Sequence, residues 1–98
     1  MTSPTYEPRI TRHVRVVGRV QGVFFRGWTK EQADALGVGG WVRNCPDGSV
    51  EAILSGAAPA VAELVERMHH GPPGALVAGI DATEAAPAAS RDFSILRG

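Results

Sequence analysis

The 98-residue chain carries 10 basic and 10 acidic residues, a formal net charge of zero, and 44% hydrophobic residues. That composition supports one domain with its own core but not two, and the lack of a basic surplus argues against general nucleic-acid binding. Cys45 is the single cysteine, which excludes an intrachain disulfide and a multi-cysteine metal site, and no apolar run approaches the roughly 20 residues that cross a bilayer.

Residues 1–11 read as a flexible leader, punctuated by Pro4 and Pro8 and lacking the apolar middle region of a secretory signal. The domain proper is expected over residues 12–98, and the cysteine usage fits a cytoplasmic location. The run His13-Val14-Arg15-Val16-Val17 predicts a strand with Val14 and Val16 on one face. It leads into Gly18-Arg19-Val20-Gln21-Gly22, where glycine opens backbone shapes closed to other residues. A helix is predicted from Gly27 to Leu36, with Trp28, Glu31 or Gln32, and Ala35 or Leu36 at helical spacing and Gly37 as its stop.

Val38 to Arg43 predicts a second strand and Ser49 to Ser55 a third, with Val50, Ala52 and Leu54 sharing a face. Asp47-Gly48 between them is a hairpin signal. Pro59 opens a second helix whose Val61, Leu64, Val65 and Met68 form one buried stripe, and Pro72-Pro73 forbid its continuation. Leu76 to Ile80, with an extension toward Thr83, predicts a fourth strand. Glu84 to Ser90 reads as a connection, and Phe93 and Ile95 as the alternating apolar residues of a short last strand. This order predicts an α+β fold, with two helices on one face of a mainly antiparallel sheet of four to five strands in the split βαβ arrangement.

The chemically informative segment is Gly18 to Gly27, between a strand and a helix. There successive N–H groups can converge on one point, and the helix N-terminus adds partial positive charge. Gly22 permits close approach of an anion, and Arg26 brings a permanent charge on a planar fork suited to two phosphate oxygens. No Gly-Lys-Ser/Thr ending follows, so this is not a nucleotide triphosphate loop. The loop chemistry equally fits glycines that merely turn the chain and an arginine on a surface helix. Asn44, at the end of the second strand, offers an acceptor and donors in a fixed direction; its alternative role is turn formation through local backbone bonds.

Together, GRVQGVFFR (residues 18–26) and GWVRNCPDGSV (residues 40–50) closely resemble the two signature segments of the acylphosphatase family. GPPGALV (residues 71–77) and the closing RDFSIL extend the resemblance from about His13 to the C-terminus. It implies a ferredoxin-like α/β sandwich and hydrolysis of acyl phosphates, with no metal or other cofactor. By resemblance, Arg26 binds the phosphoryl group and Asn44 orients the attacking water. The backbone amides of Gln21, Gly22, Val23, Phe24, Phe25 and Arg26 cradle the phosphate, with Gly18 and Thr29 in support. The implied partner is a small-molecule acyl phosphate, with inorganic phosphate or sulfate as a competing ligand, and a monomer that binds neither nucleic acid nor membrane.

Other chemistry-bearing residues draw ordinary readings. Cys45 lacks the Cys-x5-Arg cradle of a phosphocysteine enzyme. His69 and His70 point about 100° apart on a helix and share a metal poorly. His13 reads as a strand-edge surface residue, Asp47 as a turn residue, and Arg19 and Arg43 as solvated strand residues that raise local potential. Trp28 and Trp41 are expected in or near the core, with Phe24 and Phe25 available to an acyl group. The rival functions are a non-catalytic anion-binding module and single-stranded RNA binding on the sheet, the latter disfavoured by the lack of aromatic pairs on the strands.

Overall fold

β-Branched residues alternate with polar ones along β1 (Arg9–Arg19), burying Val14 and Val16 completely on one face and leaving His13 and Arg15 on the other. The computed structural model describes residues 8–87 and 91–97. Next come α1 (Phe25–Leu36), β2 (Gly39–Asn44), β3 (Val50–Ala57), α2 (Ala58–Met68), β4 (Leu76–Glu84) and β5 (Phe93–Ile95), in the order predicted. The strands form one sheet in the order β4-β1-β3-β2-β5. All neighbours are antiparallel except β2 and β5, which run parallel. Both helices pack on the same sheet, α1 over β2 and β5, α2 over β1 and β3. No helix among the described residues is long and apolar enough to cross a membrane.

The core lies between the helices and the sheet face bearing Val14, Val16, Val42, Val50, Ala52 and Leu54. α2 contributes Val61, Leu64 and Met68, with Val65 packed at the margin, as the periodicity predicts. In α1 the buried stripe is Phe25, Thr29 and Ala33, one position beside the expected one. The small Thr29 and Ala33 let the helix approach the sheet, while Trp28 and Leu36 flank the core partly exposed. Trp41 belongs to the opposite sheet face, because its neighbour Val42 points into the core; the Arg43 guanidinium lies 5.4 Å from its ring centre.

β1 begins at Arg9, so Arg9, Ile10 and Thr11 belong to the sheet rather than to the leader expected over residues 1–11. Thr11 is buried, its hydroxyl 3.0 Å from that of Ser55 on β3, a long-range tie that local sequence does not reveal. Of the rest of the expected leader only Pro8 is described; residues 1–7 lie outside the described residues, as do 88–90 of the predicted connection, whose first residue, Glu84, still belongs to β4.

The sheet face away from the helices is organised by Glu51, which stands opposite Arg15 on β1 and Arg43 on β2. Its nearly buried carboxylate lies 2.5 Å from His13 Nε2 and accepts from Arg43 Nε at 2.7 Å and Nη2 at 2.6 Å. An ionised carboxylate only accepts, so His13 Nε2 is the donor. His13 is therefore a partly exposed mid-strand partner of Glu51 on the open sheet face, not a lone residue at a strand edge. The hydrogen bond from His13 is the largest influence holding the Glu51 carboxyl below its ordinary value of 4.5; burial opposes it, and Arg43 reinforces it. A carboxyl lowered on folding stabilises above its ordinary value and loses that contribution as pH falls through its folded value. Urea unfolding is thus expected to show wild-type stability declining below pH 4.5. Glu51→Gln is expected to be less stable at neutral pH and to have a flatter acid limb; an unchanged acid limb would remove Glu51 as its cause.

Candidate active site

Between β1 and α1 the backbone changes hand twice. Gly22 (φ 77°) and Phe24 (φ 65°) both have positive φ, with Val23 between them. Alternation of this kind turns successive N–H groups toward one concave side and makes an anion-binding nest. Space does not demand glycine at position 22, since an added Cβ meets nothing within 4 Å; the positive φ does. At Phe24 a bulky residue takes a conformation that costs about 1–2 kcal/mol. Its ring lies directly over Gly27, where any Cβ would come within 2.3 Å of the ring. Strain and packing together hold the entry into α1.

α1 begins with its N-terminus uncapped by any side chain and with no acidic residue in its first turn. Trp28 N–H reaches Phe24 O at 2.9 Å, and the amides before it have no partner within the helix. The loop's start is set by Gly18, where β1 shifts register against β4. A Cβ at Gly18 would come within 2.2 Å of Leu76 O, so only glycine lets the two strands meet there.

These backbone groups open onto a pocket of about 260 Å³ lined by Val20, Gly22, Phe24, Phe25, Arg26, Gly27, Asn44 and Ile95. Arg26 and Asn44 are its long polar side chains. Neither the Arg26 guanidinium nor the Asn44 carboxamide has a hydrogen-bond or ion-pair partner among the described residues. Arg15, Arg43 and Arg67, by contrast, are each paired with a carboxylate. A cation, a neutral carboxamide and the uncapped start of a helix on one concavity form an arrangement suited to a tetrahedral oxyanion.

The chain matches the acylphosphatase family model over residues 12–95. It belongs to the acylphosphatase family. It is 54% identical over 90 residues to an acylphosphatase of Rubrobacter xylanophilus, which covers 89% of this chain and 82% of that one. An acylphosphatase of Rhizobium meliloti is 51% identical over 86 residues, 87% and 90% of the respective chains. Among solved structures, an acylphosphatase from Coxiella burnetii superposes with a TM-score of 0.87 at 35% identity, over 90% of this chain and 93% of that one. The two-helix, five-stranded architecture is the ferredoxin-like α+β fold of these acylphosphatase structures.

Within this acylphosphatase fold, the expected site residues fall into two groups. Gly22, Phe24, Phe25, Arg26 and Asn44 line the pocket. Phe24 is 66% exposed there, whereas Phe25 is a core residue that also packs on Trp28, ring centres 5.6 Å apart. Gln21 lies in the adjoining cleft with Asn44, Cys45 and Pro46. Val23 packs near Gly74 outside the pocket lining. Thr29 is fully buried on the core stripe of α1 and does not line the pocket; its hydroxyl has no hydrogen-bond partner among the described residues. Cys45 lies 3.9 Å from Glu51 Oε1, outside the Arg26 pocket. Asp47 is a turn residue as expected, its Oδ1 accepting from Ser49 N–H and hydroxyl at 2.9 and 2.6 Å. Those bonds hold its carboxyl below the ordinary range.

Ile95 was not a candidate from sequence, yet it forms part of the pocket wall and is 44% exposed. Only the parallel pairing of β5 with β2, which sets Ile95 beside Val42, brings it to the site. No local signal in the C-terminal segment encodes that pairing.

Proposed function

We propose that the protein hydrolyses acyl phosphates to a carboxylate and inorganic phosphate by direct attack of water on phosphorus. The observation that carries this reading is the pair of unengaged polar side chains, Arg26 and Asn44, on one pocket above the uncapped start of α1. In this reading Arg26 and the amides of residues 21–26 take the equatorial phosphoryl oxygens, where charge is spread in the transition state. Asn44 aligns one water opposite the departing carboxylate. A carboxylate is a weak base and leaves without a general acid, so the residues present suffice for the chemistry. Phe24 and Ile95 supply an apolar wall for the acyl group. Inorganic phosphate or sulfate competes for the same cradle. The unpaired Cys45 fits work in the cytoplasm.

Release of phosphate from benzoyl phosphate and acetyl phosphate in the presence of EDTA tests the reading. Turnover that survives chelation and is inhibited competitively by inorganic phosphate is expected. Binding of phosphate without turnover of either substrate would instead identify a non-catalytic anion-binding module.

A further inference from the structure

The Gln21 side chain makes a connection that the loop reading leaves unassigned. Its Nε2 donates to Cys45 O at 2.8 Å and to Ser49 O at 2.9 Å. Both partners are carbonyls, which only accept, so the carboxamide orientation is determined and both of its N–H groups are engaged. The same two carbonyls already accept within the turn, Cys45 O from Gly48 N at 3.1 Å and Ser49 O from Cys45 N at 2.8 Å. Gln21 therefore does not close the turn. It fastens an already closed turn to the strand–helix loop.

The sheet leaves that fastening to side chains. The β1–β3 ladder ends at Val16 opposite Val50. Beyond it, Val17, Gly18 and Arg19 pair only with β4. The loop that follows and the β2–β3 hairpin carrying Asn44 thus have no main-chain ladder between them. Arg15 ties the turn to β1 from the other side, donating to Asp47 Oδ2 at 3.2 Å and Ser49 Oγ at 2.7 Å, so the turn is held even without Gln21.

We infer that Gln21 is a positioning residue whose side chain sets Asn44 in register with the phosphate loop. The inference rests on the proposed water-orienting role of Asn44. Loss of the strut leaves the backbone cradle intact, because Gly22, Phe24 and the start of α1 define it. What changes is the placement of Asn44 over the bound phosphoryl group, and a misplacement of about 1 Å is enough to cost on the order of 100-fold in rate.

Gln21→Met keeps the length and removes both donors, and Gln21→Asn keeps the donors and withdraws them by one methylene. Each is expected to lower kcat for benzoyl phosphate by about 10- to 100-fold, with little change in inhibition by inorganic phosphate. Melting temperatures accompany the kinetics, so that the variant that folds is the one read. The deciding measurement is a double-mutant cycle with Asn44→Ala, since residues acting through one another are non-additive. In the Asn44→Ala background, removing the Gln21 donors is expected to cost no further turnover. A full-sized loss there, unchanged turnover of a folded Gln21 variant, or a parallel weakening of phosphate inhibition overturns this inference alone. Near-wild-type turnover of Asn44→Ala by itself overturns the reading of Asn44 and this inference with it.

Discussion

Arg26→Lys is expected to lower kcat/KM for benzoyl phosphate by about 100- to 1,000-fold, the usual loss when one preorganised donor to a developing oxyanion is removed. The charge survives the substitution and the geometry does not. Guanidinium is a rigid fork that meets two phosphoryl oxygens at once, whereas an ammonium is a single, strongly hydrated point. The position favours the fork for a structural reason. Arg26 sits in the first turn of α1, beside the amides that would share the same anion, and no carboxylate among the described residues holds it elsewhere. Steady-state hydrolysis of benzoyl phosphate by the purified variant, with circular dichroism as a check on folding, measures the effect. Lysine turnover near that of wild type would mean that charge alone suffices and would remove the bidentate role.

Asn44→Ala is expected to reduce kcat by about 100-fold or more while inhibition by inorganic phosphate stays close to wild type. Phosphate is gripped by Arg26 and the loop amides in the proposed reaction, and these do not depend on the carboxamide. Orientation of a nucleophile contributes several kcal/mol when it fixes an attack geometry, and that contribution falls on kcat. Asn44 is also the last residue of β2, opposite Val50 on β3. Its side chain makes no hydrogen bond to the turn that follows, so its removal is not expected to unfold the hairpin. Weakened phosphate binding at undiminished kcat would reassign Asn44 from aligning water to holding the anion. The contrast between the two variants, one losing binding and rate together and the other rate alone, separates the roles more sharply than either result by itself.

A positive φ at a bulky residue is costly, yet Phe24 adopts it immediately before the first residue of α1, on the pocket lining. The ring, spread over Gly27 and 66% exposed, stands on the pocket wall, where the proposed reaction places the acyl substituent. In the proposed reaction this one residue shapes the phosphate nest through its main chain and the apolar wall through its side chain.

Much of this was legible along the chain because it depends on near neighbours. Alternation in Val14 and Val16, and in Val50, Ala52 and Leu54, is a property of the pleat, so it marks a buried face whatever packs on it. The spacing in α2 likewise encodes its core stripe, and the Gly18–Gly27 and Gly40–Val50 segments carry their identity in residue type and order. What required the folded molecule was everything that depends on cross-strand register or on packing distance. Thr29 and Ala33 replace the larger Trp28 and Leu36 in the stripe of α1 because only a close helix–sheet approach makes small residues the buried ones. His13 finds Glu51, and Gln21 finds the turn carbonyls, at sequence separations of 38 and of 24 and 28 positions. Ile95 reaches the pocket through a parallel pairing at the sheet edge. Local sequence records conformational preference and amphipathic period; which distant groups meet is decided when the strands choose their register, and that choice is made by the whole core at once.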